Sequence, residues 1–184
     1  MGQACDAILG HAHRTVVGMR RFVEATNETG YLRLHSLDDL RRYCYVVVGI
    51  VGGLLTELFV IHSPQLRPIR GYLHAQAPLF GEALQLVNVL KDAAADSARG
   101  RVYLPPGAGL APVFSLARQD LFEADQYINA LCRADAPASV VRFTRLPVAL
   151  ARGTLDAIER FGPGAKLSRA DVAQALRTVN TAPV

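Results

Sequence analysis

The sequence predicts an all-α protein, and three observations predict it. Apolar residues recur at helical period through most of the chain. No segment sustains the apolar–polar alternation of a half-buried strand, and no Asn-Gly hairpin signal occurs. Capping residues stand where periodic segments begin: Ser36 with Asp39 three positions on, and Ser168.

In chain order, residues 4–26 read as a helix with Ile8, Val16, Met19 and Val23 near helical period. His11 and His13 are two apart and face different sides, a poor metal pair. Residues 27–35 form a connector centred on Gly30. Ser36 starts the next helix, with Asp38 and Asp39 in the first turn, where the helix dipole favours acids. Residues 43–61 are almost continuously apolar, long enough to span a membrane. Glu57 would be costly in lipid, so a core helix is the better reading. Gly49, Gly52 and Gly53 weaken that helix by about 1 kcal/mol each relative to Ala, which points to a kink or a close approach. Residues 63–70, with two prolines, break the chain. A long helix over 79–99 follows, then a loop over 105–112. Residues 113–134 read as a helix with Leu116, Leu121, Ala124, Ile128 and Leu131 inside. Residues 137–160 form another, kinked at Pro147, and Ser168 caps a last helix over 169–179. Neither repeats nor low-complexity tracts divide the 184 residues, so one helical domain over 1–184 is expected.

Composition narrows the class. Hydrophobic residues make up 51% and charged residues 20%, which argues against disorder. The net charge of +4 suits anionic partners such as diphosphates or a membrane surface. No aromatic–basic repeat or zinc spacing points to nucleic acid. Cys5, Cys44 and Cys132 are odd in number and far apart, which fits a reducing compartment better than a disulfide framework. With no basic-then-apolar leader visible, a cytoplasmic protein, peripheral at a membrane, is expected.

The chemistry concentrates in LFGEALQLVNVLKDAAADSARGRVYLP, residues 79–105. Gln85, Asn88, Asp92 and Asp96 follow at steps of 3, 4 and 4, which stacks them on one helix face. Two carboxylates one turn apart can hold Mg²⁺, a hard ion that takes carboxylate and phosphate oxygens. The same spacing also occurs on solvated helix faces, the commoner case. Spacing alone leaves both readings open.

Two strings carry a resemblance. One is DLRRYCYVVVGIVGGLLTELF, with Tyr43, Gly49 and Gly52; the other is FGEALQLVNVLKDAAADSARGRVYLP. In order and separation they resemble the squalene/phytoene synthase family, with support from Gly18-Met19 upstream and RFTRLPVALARGTL downstream. The tract from Thr56 to Asp92 leans towards the squalene-like bacterial branch. The resemblance implies an isoprenoid synthase-like helical bundle, present in part, and head-to-head condensation of farnesyl or geranylgeranyl diphosphate. It implies that Asp92 and Asp96 bind Mg²⁺ bridged to the substrate diphosphate, and that Gln85 and Asn88 line the same cavity. Tyr43, Arg101 and Tyr103 match positions beside the reacting groups. NADPH is implied only for a squalene-forming reaction. Val46 and Val48 depart from the family, which usually has an aromatic residue and an alanine there.

The family's first aspartate-rich motif has no counterpart here. Asp6 stands alone, Asp38-Asp39 belong to a cap, and Asp120 and Asp125 are five apart. The expectation is a C-terminal portion, inactive alone, completed by a partner chain or a preceding half that supplies the motif. The alternative is an inactive member serving as a helical scaffold or membrane-associated assembly factor. An incomplete bundle should also leave apolar surface uncovered beside the 43–61 helix.

Overall fold

The computed structural model describes residues 2–107 and 109–182, without the side chains of Asn27 and Thr29. The elements in order are α1 (Gln3–Thr29), β1 (Leu32–Arg33), α2 (Leu37–Cys44), a π-helical turn (Tyr45–Gly49), α3 (Ile50–His62), a 3-10 turn (Pro64–Ile69), α4 (Arg70–Ser97), β2 (Arg101–Val102), α5 (Ala111–Arg133), α6 (Ala138–Phe161) and α7 (Arg169–Thr181). The expected all-α architecture is the observed one.

Local chemistry sets the starts. Ser36 Oγ accepts the Asp39 N–H at 3.0 Å, and Asp39 returns a carboxylate to the His35 N–H at 3.3 Å. Ser168 and Asp171 form a full capping box at the head of α7. Asp38 and Asp39 therefore belong to a helix start, as the sequence indicates.

Three features depart from the sequence reading. The helix that carries the polar stripe begins at Arg70 rather than near Leu79, and runs through Pro78. Proline removes one backbone donor there, and packing on α3, α5 and α6 outweighs that loss. Residues 45–49 adopt a wide π turn in place of regular helix. A short parallel ribbon, unforeseen by pattern, pairs Leu32 with Arg101 and Arg33 with Val102. Two residues are too few to show alternation.

Leu37–His62 forms one nearly continuous helical run, the one among the described residues long and apolar enough to cross a bilayer. It packs on α1 and on α4, as a bundle helix does. Its glycines mark the close approach. A methyl on Gly52 would lie 2.5 Å from the Ala77 carbonyl oxygen, and one on Gly81 would lie 2.8 Å from the Val48 carbonyl. The α3–α4 contact is thus backbone against backbone. The core residues Leu73, Leu86, Leu90, Val113, Leu121, Leu131, Val141 and Leu155 lie where α4, α5 and α6 meet.

The inner face of α5 holds Val113, Ala117, Asp120, Leu121, Ala124, Tyr127, Ile128 and Leu131. Leu116, expected inside, is only half-buried. Exposed apolar residues lie on the 43–61 segment itself, at Tyr45 and Val51, and larger exposures lie elsewhere, at Leu9, Val16, Val17 and Val23 of α1 and at Tyr31, Phe122 and Phe161.

Candidate functional site

Tyr43 and Tyr103 come together from opposite ends of the α2–α4 segment. Tyr43 is buried at the end of α2, and Tyr103 follows β2. The ribbon holds them: the Leu32 N–H bonds the Gly100 carbonyl and the Leu34 N–H bonds the Val102 carbonyl, each at 3.0 Å. Tyr43 Oη donates to Tyr103 Oη at 3.1 Å, with ring centroids 4.8 Å apart. Phe22 of α1 meets Tyr43 edge-on at 5.2 Å. Burial, then the Tyr103 bond, raises the Tyr43 phenol well above its ordinary value, while the nearby Arg101 charge pulls the other way. Arg101 is exposed.

The polar stripe lies on the second half of α4. Gln85 is half-buried, Asn88 exposed, and Asp92 and Asp96 half-buried. Lys91 Nζ lies 3.3 Å from Asp92 and donates to Asn88 at 3.4 Å, so this lysine neutralises part of the stripe. Arg99 is exposed. Asp92 and Asp96 offer oxygen donors alone, the type a hard divalent cation takes. Among the described residues, no group of three or more His, Cys, Asp or Glu is placed to hold a metal. The pair therefore fits Mg²⁺ in donor type and leaves most of its coordination to other oxygens.

An apolar cavity of about 230 Å³ opens on the turns of α4 just before the stripe. Ala77, Phe80 and Leu84 line it from α4, Gly52, Leu55 and Phe59 from α3, and Phe143 from α6. Thr56 and Tyr127 share a buried hydrogen bond at 2.9 Å on its wall. The apolar run after Tyr43 thus supplies a wall, through Gly52 and Leu55. Val46, one of the departures, is buried instead against Gly18 of α1.

Sequence reasoning missed a buried charge cluster. Glu82 of α4 and Asp120 of α5 are 5% and 2% exposed. Arg41 of α2 reaches Glu82 at 2.8 Å. Asp120 Oδ2 is buried without a hydrogen-bond partner among the described residues. Burial, then the Glu82 charge, pushes the Asp120 carboxyl up to about 7. The signal was available: Asp120 stands on the apolar period of α5, between Ala117 and Ala124. His11 was also undervalued. It is buried, with Nδ1 at 2.9 Å from the Ile50 carbonyl and Nε2 at 3.3 Å from Glu57.

The sequence profile of squalene/phytoene synthases matches residues 2–106, more than half of the chain. The chain belongs to the squalene/phytoene synthase family. The chloroplastic phytoene synthase 3 of Zea mays is 41% identical over 73 residues, covering 40% of this chain and 17% of that protein. The phytoene synthase of Thermus thermophilus is 38% identical over 81 residues, covering 42% and 24%. A solved structure of TcSQS with a ligand superposes with a TM-score of 0.68 at 23% identity, covering 97% of this chain and 57% of that one. The fold is therefore the isoprenoid synthase-like one, and the matches span less than a quarter of the length of these two relatives. Both are phytoene synthases, which does not favour the squalene-like leaning of the Thr56–Asp92 tract.

Proposed function

We propose that this chain carries one carboxylate half of a site that joins two prenyl diphosphates head to head. The observation behind this reading is the sequence of surfaces along α4. An apolar cavity at Ala77, Phe80 and Leu84 is followed, on the same helix, by Gln85, Asn88, Asp92 and Asp96. The rise from Leu84 to Asp92 is about 12 Å, and the stripe lies roughly a quarter-turn around the helix from the cavity. Such a surface suits a ligand with a hydrocarbon tail and an anionic head. Asp92 and Asp96 would hold Mg²⁺ against the diphosphate, with Gln85 and Asn88 beside it. The cation would neutralise the leaving diphosphate. Arg101 adds positive charge near Tyr43, and the tilted rings of Tyr43 and Tyr103 would offer π density to a developing allylic cation. Because Tyr43 stays protonated, it adds no negative charge that would trap that cation.

Two carboxylates leave the metal site incomplete, so the first aspartate-rich motif has to come from a partner chain or a preceding segment. The isolated chain is expected to be inactive. NADPH enters only if the product is squalene-like. The odd, dispersed cysteines support a reducing compartment such as the cytoplasm, with peripheral membrane contact to collect prenyl substrate. The missing first aspartate-rich motif suits equally a second reading, a non-catalytic helical scaffold or membrane-associated assembly factor.

Calorimetric titration with farnesyl or geranylgeranyl diphosphate, with and without Mg²⁺, separates the two. The enzyme-part reading expects Mg²⁺-dependent binding that Asp92→Asn weakens at least about tenfold, the scale of truncating one partner of a charge contact. Binding insensitive to both Mg²⁺ and Asp92→Asn would favour the scaffold.

A further inference from the structure

A cleft of about 850 Å³ lies between α1, α3 and the start of α4, apart from the site described above. Arg70, on its edge, opens α4, and Asp92 lies ~33 Å further along that helix. One face of α1 supplies Asp6, Ala7, Gly10, His11 and Arg14. Glu57, Val60 and Ile61 come from α3, and Arg67 from the 3-10 turn. A volume of this size holds a small organic molecule.

Charge decides which kind. Both ring nitrogens of the buried His11 face acceptors, the Ile50 carbonyl and Glu57 Oε2. Arg70 lies 3.6 Å from Glu57 Oε1, so both oxygens of that carboxylate are engaged. Arg14 and Arg67 have no acidic partner among the described residues. Asp6, the other carboxylate of the cleft, is exposed, and water weakens its pull. His74, one turn after Arg70, senses the balance. Burial first, then the Arg70 charge, lowers its imidazole from the ordinary value; Glu57 opposes, and His11 and Arg14 lower it further. Positive charge therefore prevails at this end of the bundle.

We propose that the cleft binds a phosphate monoester with a short apolar substituent. Arg14, Arg67 and Arg70 bring guanidinium groups from three separate elements, which suits a phosphate, whose several oxygens take N–H donors from different directions. Ala7, Val60 and Ile61 give the apolar substituent a wall. Gly10 keeps the cleft open: nothing lies within 4 Å of where a Cβ would stand. The proposal does not rest on the diphosphate reading, which needs Mg²⁺ and the far half of α4.

Calorimetric titration of the full chain in EDTA, with hexyl phosphate and with inorganic phosphate, tests it. Hexyl phosphate should bind at least about tenfold more tightly than inorganic phosphate, since its methylenes leave water. Arg14→Ala and Arg67→Ala, at exposed positions, should each weaken it at least about tenfold, the scale of a lost hydrogen bond to a charged group. Asp6→Asn should tighten it, because a repelling carboxylate is gone. Asp92→Asn should leave it unchanged, so failure of the diphosphate reading and failure of this one are distinguishable. The circular dichroism of every variant should match that of the parent. Hexanoate binding as tightly as hexyl phosphate overturns the proposal. So does binding that survives both arginine substitutions, binding lost in Asp92→Asn, or no binding at all. Sedimentation with phosphatidate vesicles that Arg67→Ala abolishes would assign the phosphate to a lipid headgroup, and binding of the soluble ester alone would assign it to a free one; either result upholds the site.

Discussion

Tyr43 and Tyr103, 60 residues apart, share a hydroxyl–hydroxyl bond of 3.1 Å between tilted rings. The bond joins the helix that enters the α2–α4 segment to the residue just after the strand that leaves it. Tyr103→Phe keeps the ring and removes the bond, so stability should fall by about 1 kcal/mol, the usual net worth of one hydrogen bond. Urea denaturation measures this. Since Tyr43 titrates well above its ordinary value, Tyr43→Phe should leave the phenolate absorbance at pH ~10 unchanged. A loss of one tyrosine's amplitude there would place Tyr43 in water.

Gly52→Ala tests the backbone contact between α3 and α4. The new methyl meets the Ala77 carbonyl at 2.5 Å, and backbone cannot step aside as a flexible side chain would. A loss of about 1–3 kcal/mol is expected, the scale of overpacking. Gly10→Ala is the control. Nothing lies within 4 Å of its added methyl, so helix propensity should make it stabilising by up to ~1 kcal/mol. Equal effects at the two positions would contradict the observed packing.

The cluster around Asp120 predicts a pH dependence with a definite sign. The folded-state value, about 7, lies above the ordinary 3.8. The folded state therefore favours the protonated acid. Its stabilising contribution is full below about 3.8 and is lost as pH rises through about 7. Glu82 is shifted in the same direction, by burial against the opposing pull of Arg41. Denaturation midpoints should fall between pH 4 and pH 7. Asp120→Asn, which cannot ionise, should flatten that slope and be more stable than the parent at pH 8. A parent whose stability rises across this range would show that Asp120 is ionised in the fold.

The cavity before the polar stripe makes a prediction about ligand tails. Leu84→Trp should fill much of the 230 Å³. Affinity for a long prenyl diphosphate should then drop at least about tenfold, since each buried methylene contributes about 0.8 kcal/mol. Affinity for inorganic diphosphate, which has no tail, should not change. Parallel loss of both ligands would separate the cavity from the site.

Much of this molecule is legible in the sequence where a residue's role depends on near neighbours. Ser36 and Ser168 announce helix starts because a cap is a contact three residues long. The stripe from Gln85 to Asp96 is legible because a helix fixes its own face. Features that depend on distant partners are not. Nothing near Pro78 reveals that α3 will hold the helix together around it. Gly52 announces a close approach without saying to what. Glu82 looks like an ordinary surface acid until α2 and α5 fold over it, and the partners of His11 lie on α3.

The ribbon of β1 and β2 brings the chain back to its own side after it has run through α2, α3 and α4. Its four residues run parallel, so residues 34–100 leave and re-enter the fold at nearly the same place. That gives the segment the form of a closed circuit with a clasp. The clasp cannot fasten until the whole circuit has come together, because closing a long loop costs entropy before any contact rewards it. Its amides, at Leu32 and Leu34, should therefore exchange with solvent faster than those of the α4–α5 core, which hydrogen exchange would read.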